Sequence, residues 1–210
     1  MFIFNYATVI DPLLRDIRLY ASEFSGMKAG DRVLDVCCGT GDQVFHYSKR
    51  DIIAVGVDLS SNMLELAAKK RIKQGLGNAS FQQANATNLP FKDGCFDYVS
   101  ASFGLHDKEI GTRNRLVSEM KRVVKKGGAL VFIDFAVPLP KNLYGYLVRT
   151  IEFLAGREHF RGFKDYIKRG GLDEILENHQ LLEEKRECLK NGIILIVKAK
   201  ETNASSLYLF

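Results

Sequence analysis

Short apolar runs and helical patterns alternate through the first two thirds of the chain. Five runs are short enough for strands, and most are apolar on both faces: residues 32–37, 52–57, 80–83, 98–103 and 129–135. Amphipathic helices are predicted between them, beginning near Asp42, at Ser60 or Ser61, and ahead of Leu116. Apolar strands that alternate with helices are typical of a parallel sheet covered on both sides.

An N-terminal helix is predicted ahead of the first strand. Asp11 followed by Pro12 is typical of a helix start, and the helical pattern continues until Gly26. We assign residues 1–27 to a helical cap, in which Tyr6 is a candidate to approach a bound cofactor.

The organisation changes after the fifth strand, at two prolines. A helix that is apolar nearly all round is predicted at residues 142–155 and a further helix at residues 164–178, followed by strands at residues 182–189 and 193–199. Asn191-Gly192 between two strand patterns predicts a hairpin.

The predicted fold is therefore α/β and Rossmann-like. Its seven-stranded sheet is mostly parallel, with a C-terminal antiparallel hairpin and helices on both faces. We expect one domain over residues 1–200, a lid-helix insertion at residues 138–163 and a flexible tail at residues 201–210.

Composition and charge narrow the class of protein. Hydrophobic residues make up 46% and charged residues 26%, as in globular proteins, and no apolar run reaches the ~20 residues of a membrane-spanning helix. The N-terminus lacks a signal-peptide pattern, so a cytoplasmic protein is expected. The net charge of +5 is spread along the chain and predicts no nucleic-acid partner. The four cysteines have no metal-binding spacing, so we predict free thiols and no metal site.

A glycine turn after the first strand is the main candidate for a ligand site. Gly39-Thr40-Gly41 lies where open α/β sheets bind ligands, and Asp58 ends the second strand, where a carboxylate can accept both hydroxyls of a ribose. Dinucleotide turns carry a third glycine, but position 44 is valine, and Asp42 at the helix start would repel a pyrophosphate. The turn therefore favours S-adenosylmethionine, which has no phosphate.

Four motifs carry a family resemblance. They are VLDVCCGTGDQ, VGVDLSSNML, QANATNLPFKDGCFDYVSASFGL and EMKRVVKKGGALVFIDF. Together they resemble the ubiquinone/menaquinone biosynthesis C-methyltransferases of the UbiE type, which are class I S-adenosylmethionine methyltransferases. The resemblance is close over residues 28–137 and continues loosely to Lys200.

The resemblance implies roles for single residues. Thr40 would contact the methionine end of the cofactor, Leu59 would pack on the adenine, and Asn85 with Ala86 would read the adenine edge. Ser102 would add a further contact. The full predicted cofactor site is Asp35, Gly39, Thr40, Gly41, Asp58, Leu59, Asn85, Ala86 and Ser102.

The substrate half of the chain departs from this pattern. In the UbiE type Arg-Asn follows the SFGL motif, whereas here His106-Asp107 follows it. His106 is a candidate general base oriented by Asp107, and the alternative is a capping or packing histidine. The apolar lid suits a lipid-tailed substrate or a membrane surface, and the alternatives are burial against the sheet or a homodimer interface.

The resemblance implies methyl transfer to a small hydrophobic molecule, with a prenylated quinol carbon as the first candidate. O- or N-methylation of another metabolite is the alternative within the class. A nicotinamide-dependent oxidoreductase and a non-catalytic cofactor-binding subunit are the alternatives outside it.

Overall fold

The computed structural model describes the backbone of residues 6–202 and the side chains from Leu14 onward. The predicted contact of Tyr6 and most of the predicted tail lie outside these described parts. The strands are β1 (Arg32–Val36), β2 (Ile53–Asp58), β3 (Ala79–Gln83), β4 (Phe96–Ser102), β5 (Val124–Phe135), β6 (Leu181–Leu189) and β7 (Ile194–Glu201). The helices are α1 (Tyr6–Ser25), α2 (Asp42–Ser48), α3 (Ser61–Gln74), α4 (Ile110–Val123), α5 (Leu143–Leu154), α6 (Arg157–Arg169) and α7 (Leu172–Asn178).

One mixed sheet orders the strands as β3-β2-β1-β4-β5-β7-β6. The first five strands are parallel to one another, whereas β7 pairs antiparallel with both β5 and β6. The predicted fold class is confirmed. The strand order reverses at β1, between β2 and β4, so the carboxyl ends of these three strands form the crevice where such sheets bind ligands.

The core lies between the sheet and its covering helices. Leu34, Val99 and Leu130 are fully buried in the three central strands, and Leu116 and Met120 of α4 pack as the helical pattern predicted. Burial of each such side chain stabilises the fold by about 1.5–3 kcal/mol. The sheet is thus a rigid support for the loops at its carboxyl edge.

Several predicted boundaries differ from the structure; the further helix, predicted to begin at residue 164, begins at Arg157. Helix α1 begins at Tyr6, so Pro12 lies inside the helix and not at its start. A favourable N-cap contributes only about 1 kcal/mol, which does not by itself determine where a helix begins. Strand β5 begins at Val124, directly after α4, with a register irregularity opposite Phe96 and Tyr98. The single helix predicted at residues 164–178 is two helices, because Gly170 and Gly171 adopt positive φ of 107° and 68° between them.

Candidate functional site

The glycine turn joins β1 to α2 through left-handed backbone conformations. Gly41 caps α2 with φ of 79°, and a Cβ there would lie 2.5 Å from the ring of Phe81. Gly39 has φ of 53°, and a Cβ there would meet nothing within 4 Å. Glycine is therefore required at position 41 by close packing, while the space beside Gly39 is open to a ligand.

Asp58 ties this turn to the end of β2. Its Oδ2 accepts the backbone N–H of Gly39 at 2.8 Å, and its Oδ1 accepts that of Ser60 at 2.9 Å. A carboxylate oxygen can accept two hydrogen bonds, so each oxygen retains capacity for one hydroxyl. Ser60 itself caps α3 by accepting from the N–H of Met63. Asp58 thus shapes the turn and still fits the predicted ribose contact.

Asp35 lies below the turn, buried in β1. Its Oδ1 accepts a hydrogen bond of 2.6 Å from the hydroxyl of Ser100 on β4. Burial raises the pKa of Asp35 to about 7, against the opposing effects of the Ser100 hydrogen bond and the Arg18 charge. The carboxyl group is therefore a polar link between two central strands beneath the predicted cofactor site.

Thr40 belongs to a charged network at the start of α2. Its hydroxyl donates to Asp42 at 3.2 Å and accepts from Nζ of Lys70 at 3.1 Å. Asp42 is also paired with Lys70, at 3.1 Å, and with Arg18, at 3.5 Å. Because two cations offset Asp42, its charge does less to exclude a pyrophosphate than the sequence suggested. The valine at position 44 remains the stronger argument against a dinucleotide turn.

The remaining predicted cofactor residues line the rim of the crevice. Leu59 exposes 68% of its surface beside Asp58, and Ala86 is half-buried. The side-chain Oδ1 of Asn85 accepts from the backbone N–H and the hydroxyl of Thr87, which closes a local turn. The hydroxyl oxygen of Ser102 is buried with no hydrogen-bond partner among the described residues. An unsatisfied buried hydroxyl at the end of β4 fits a ligand that supplies the missing partner.

His106 lies in the loop after β4 and is 1% exposed. Its Nδ1 is 2.7 Å from Oδ1 of Asp134, at the end of β5, and its Nε2 is 3.5 Å from Oε2 of Glu152 on α5. The prediction that Asp107 orients His106 is therefore wrong in this geometry. Asp107 instead accepts hydrogen bonds of 2.7 Å from the ammonium of Lys108. The side chains of His106 and Asp107 point in different directions from the loop.

A second histidine completes this cluster. Nε2 of His159, on α6, is 2.6 Å from Oε2 of Glu152. Burial lowers the pKa of His106, but the charge of Asp134 and the contacts with Asp134 and Glu152 raise it, with a net value of about 10. Burial raises the pKa of Glu152, whereas the two histidines lower it to about 2. Asp134 and Glu152 were missed as site residues, and His159 appears in the sequence only as part of a basic stretch.

An apolar cavity of about 440 Å³ opens beside this cluster. Its wall includes Glu152, and its lining also contains the aromatic, aliphatic and hairpin residues Leu14, Phe103, Phe135, Tyr144, Leu147, Val148, Ile151, Lys190, Asn191, Ile193 and Ile194. Phe103 directly follows Ser102 in the chain, so this side of the cavity lies next to the end of β4. On the outer side of α5, Leu143 is 78% exposed and Phe153 is 63% exposed. None of the helices that the structure describes is long and apolar enough to cross a bilayer.

Solved structures share this fold at low sequence identity. A SAM-dependent methyltransferase from Aquifex aeolicus matches with a TM-score of 0.66 at 22% identity, over 91% of this chain and 96% of that chain. Haemonchus contortus phosphoethanolamine N-methyltransferase 2, solved with S-adenosyl-L-methionine, gives a TM-score of 0.68 at 16% identity, over 90% of this chain and 53% of that chain. The chain therefore shares the α/β fold of these methyltransferases.

Comparison of the amino-acid sequence identifies the family. The chain belongs to the ubiE/COQ5 methyltransferase family, which it matches over residues 13–154. A demethylmenaquinone methyltransferase from Shouchella clausii is 34% identical over 146 residues, which are 67% of this chain and 61% of the relative. A ubiquinone/menaquinone biosynthesis C-methyltransferase UbiE from Francisella tularensis is 35% identical over 138 residues, or 62% of this chain and 54% of the relative. The chain therefore spans less than two thirds of the length of these relatives.

Proposed function

We propose that this chain is an S-adenosylmethionine-dependent methyltransferase that acts on a small hydrophobic acceptor. The observation that carries the proposal is the pairing of the Asp58–Gly39 crevice with the apolar cavity next to the end of β4. The crevice offers hydrogen-bond acceptors for a ribose, and the cavity offers an apolar wall for a hydrophobic molecule. A prenylated quinol is the first candidate acceptor, in keeping with the names of the family's relatives.

The residues of the crevice fit S-adenosylmethionine. Asp58 would accept the ribose hydroxyls, the hydroxyl of Ser102 would gain its missing partner, and the exposed Leu59 would cover the adenine. The bound cofactor would supply an electrophilic methyl group on its sulfonium. Asp35 and the Asp42 network would keep the turn rigid around it. Rigid placement lowers the barrier of an in-line methyl transfer by orienting the reacting atoms.

The cavity supports an acceptor with an aromatic ring. Phe103 and Phe135 contact each other edge to face at 5.7 Å and offer ring surfaces, while Glu152 brings a carboxylate to the same wall. Methylation of a quinol carbon requires an electron-rich ring, which forms when a hydroxyl loses its proton. The base role of His106 stays a prediction, although its imidazole is buried and its pKa of about 10 keeps it protonated at neutral pH, so it would have to lose a proton before it could accept one. O- or N-methylation of another hydrophobic metabolite uses the same two sites and is the second candidate.

The outer side of α5 supports a contact with a lipid surface. Its exposed Leu143, Tyr146 and Phe153 would reach into the headgroup region while a lipid-tailed acceptor enters the cavity. The alternative prediction is a homodimer, in which a second copy of the chain covers this surface.

Calorimetry tests the cofactor. The wild-type chain should bind S-adenosylmethionine and its demethylated product, with no response to NAD. Asp58→Ala should abolish cofactor binding, whereas Glu65→Gln, a change at an exposed acid of α3, should leave it intact. Tight NAD binding without a response to the sulfonium ligand would refute the proposal and favour an oxidoreductase.

A substrate screen tests the acceptor. Quinols with and without isoprenoid tails are compared by the demethylated cofactor formed. The proposal expects turnover only with the tailed quinols, and His106→Ala should lose turnover while it keeps cofactor affinity. Cofactor binding without turnover on any quinol, amine or phenol would favour the non-catalytic alternative.

A further inference from the structure

We propose that His106, Glu152 and His159 form a binding site for one transition-metal dication of the zinc type. The three side chains come from the loop after β4, from α5 and from α6, and one ligand atom of each lies within 4.8 Å of the others. Two imidazoles and one carboxylate are a donor set that zinc accepts, with a fourth position left open.

Two buried atoms of the cluster lack a hydrogen-bond partner among the described residues. His106 and Glu152 are each 1% exposed, yet Nε2 of His106 and Oε1 of Glu152 have no hydrogen-bond partner among the described residues. An unpaired buried polar atom costs about 1–3 kcal/mol, so native structures rarely leave two together. A dication bound between the three side chains would engage both atoms.

An outer carboxylate lies beside the second ring nitrogen of each histidine, within hydrogen-bond distance for His106 and slightly beyond it for His159. Nδ1 of His106 is 2.7 Å from Asp134, and Nδ1 of His159 is 3.6 Å from Asp107. The Nε2 atoms of the two rings consequently face Glu152, at 3.5 Å and 2.6 Å from its Oε2. Metal-ligating histidines in proteins characteristically give their other ring nitrogen to a carboxylate in this way.

The charges of the cluster also favour a dication. The buried carboxylates of Asp134 and Glu152 contact the two histidines, and Asp134 also accepts backbone N–H groups. Asp107, by contrast, is already neutralised by Lys108. A dication would compensate both buried charges at once, and the shared protons of the imidazoles would leave on binding. Sequence spacing could not show the site, because His106 is far along the chain from the other two ligands.

Metal binding is tested on the full chain after chelator treatment. Calorimetry with Zn²⁺ should give one site per chain that is lost on chelation, and Co²⁺ at the same stoichiometry should give an absorption spectrum without thiolate charge-transfer bands. Asp134→Asn changes an outer carboxylate and should weaken Zn²⁺ binding by roughly 10–100-fold. His159→Gln and Glu152→Gln remove a ligand and should weaken it further. His179→Gln, at a histidine outside the cluster, should bind as the wild type does.

Folding is monitored by thermal unfolding of each variant. The side chain of His159 is 26% exposed, so His159→Gln should fold even where a change at a fully buried ligand does not. Zn²⁺ should raise the Tm of the wild type and not that of folded His159→Gln. Equal Zn²⁺ affinity in the wild type and His159→Gln, the absence of a one-per-chain site, or thiolate bands with Co²⁺ would each overturn the proposal. None of these readouts depends on methyl transfer.

Discussion

The imidazole of His106 and the carboxylate of Asp134 form a buried pair, with Nδ1 and Oδ1 2.7 Å apart and both side chains 1% exposed. Asp134 also accepts the backbone N–H groups of Leu105 and His106 at 3.3 Å. It therefore joins the end of β5 to the loop after β4. This one carboxylate positions both the ring and the backbone of the loop.

Asp134→Asn should destabilise the fold strongly. Removing Asp134 leaves the buried imidazolium of His106 with Glu152 as its remaining carboxylate, at the longer distance of 3.5 Å, and breaking a buried pair in this way costs up to about 3–5 kcal/mol. Urea unfolding at neutral pH measures the loss. The matched control is Asp93→Asn, which breaks an ion pair with Arg122 at a site where Asp93 is 81% exposed, and should cost less than about 1 kcal/mol. Equal losses in the two variants would contradict a buried pair at His106.

Asp35 should make stability depend on pH. Its pKa in the folded chain is about 7 and its ordinary value is 3.8, so the unfolded chain loses this proton first as the pH rises. Stability should fall between pH ~4 and ~7, by on the order of 4 kcal/mol, and then level off. Asp35→Asn keeps an oxygen that can accept from Ser100 and has no proton to lose. Unfolding curves across this range should show a flatter profile for the variant, and parallel profiles would reject the raised pKa.

The crevice at the carboxyl edge of the sheet was predictable because its parts are local in sequence, whereas its use as a cofactor site stays a prediction. A strand, a glycine turn and a helix start are consecutive, and Asp58 and Ser102 each end a strand, so a parallel sheet brings them to one edge. The helix break at Gly170-Gly171 was also visible in the sequence, as two adjacent glycines, although the helical pattern around it continued.

The histidine cluster was not predictable in this way. Asp134, Glu152 and His159 reach His106 only through the packing of β5, α5 and α6, and no fixed spacing links them. Asp107 was the natural partner by adjacency, yet successive side chains of a loop point in different directions. The sequence did not indicate the burial of Glu152 either, because an apolar helix pattern does not show that its one carboxylate is buried while several of its apolar residues are exposed.

Ser102→Ala should weaken cofactor binding without weakening the fold. The hydroxyl of Ser102 has no partner within the described chain, so its removal should leave stability unchanged or raise it slightly. Loss of one hydrogen bond to the cofactor should lower affinity roughly 2–10-fold by calorimetry. Ser100→Ala is the contrasting control, because Ser100 donates to buried Asp35 and its loss should destabilise the chain. The hypothesis fails if Ser102→Ala destabilises the chain as Ser100→Ala does while affinity is unchanged.

Gly41→Ala should destabilise the glycine turn through two separable effects. Positive φ costs a non-glycine residue about 1–2 kcal/mol, and the new Cβ would lie 2.5 Å from the ring of Phe81. Gly75→Ala is the matched control, since Gly75 has φ of 65° at the end of α3 and open space around its Cβ position. The difference between the two losses in unfolding free energy therefore measures the close packing at position 41, which is mainly with Phe81 and also with Ala67, whose Cβ would lie at 3.2 Å. Because this contact sets how closely the turn approaches β3, Gly41→Ala should also reduce S-adenosylmethionine affinity, whereas Gly75→Ala should not. Equal destabilisation by the two variants would mean that the turn tolerates a side chain at position 41 and that glycine is needed there for its backbone conformation only.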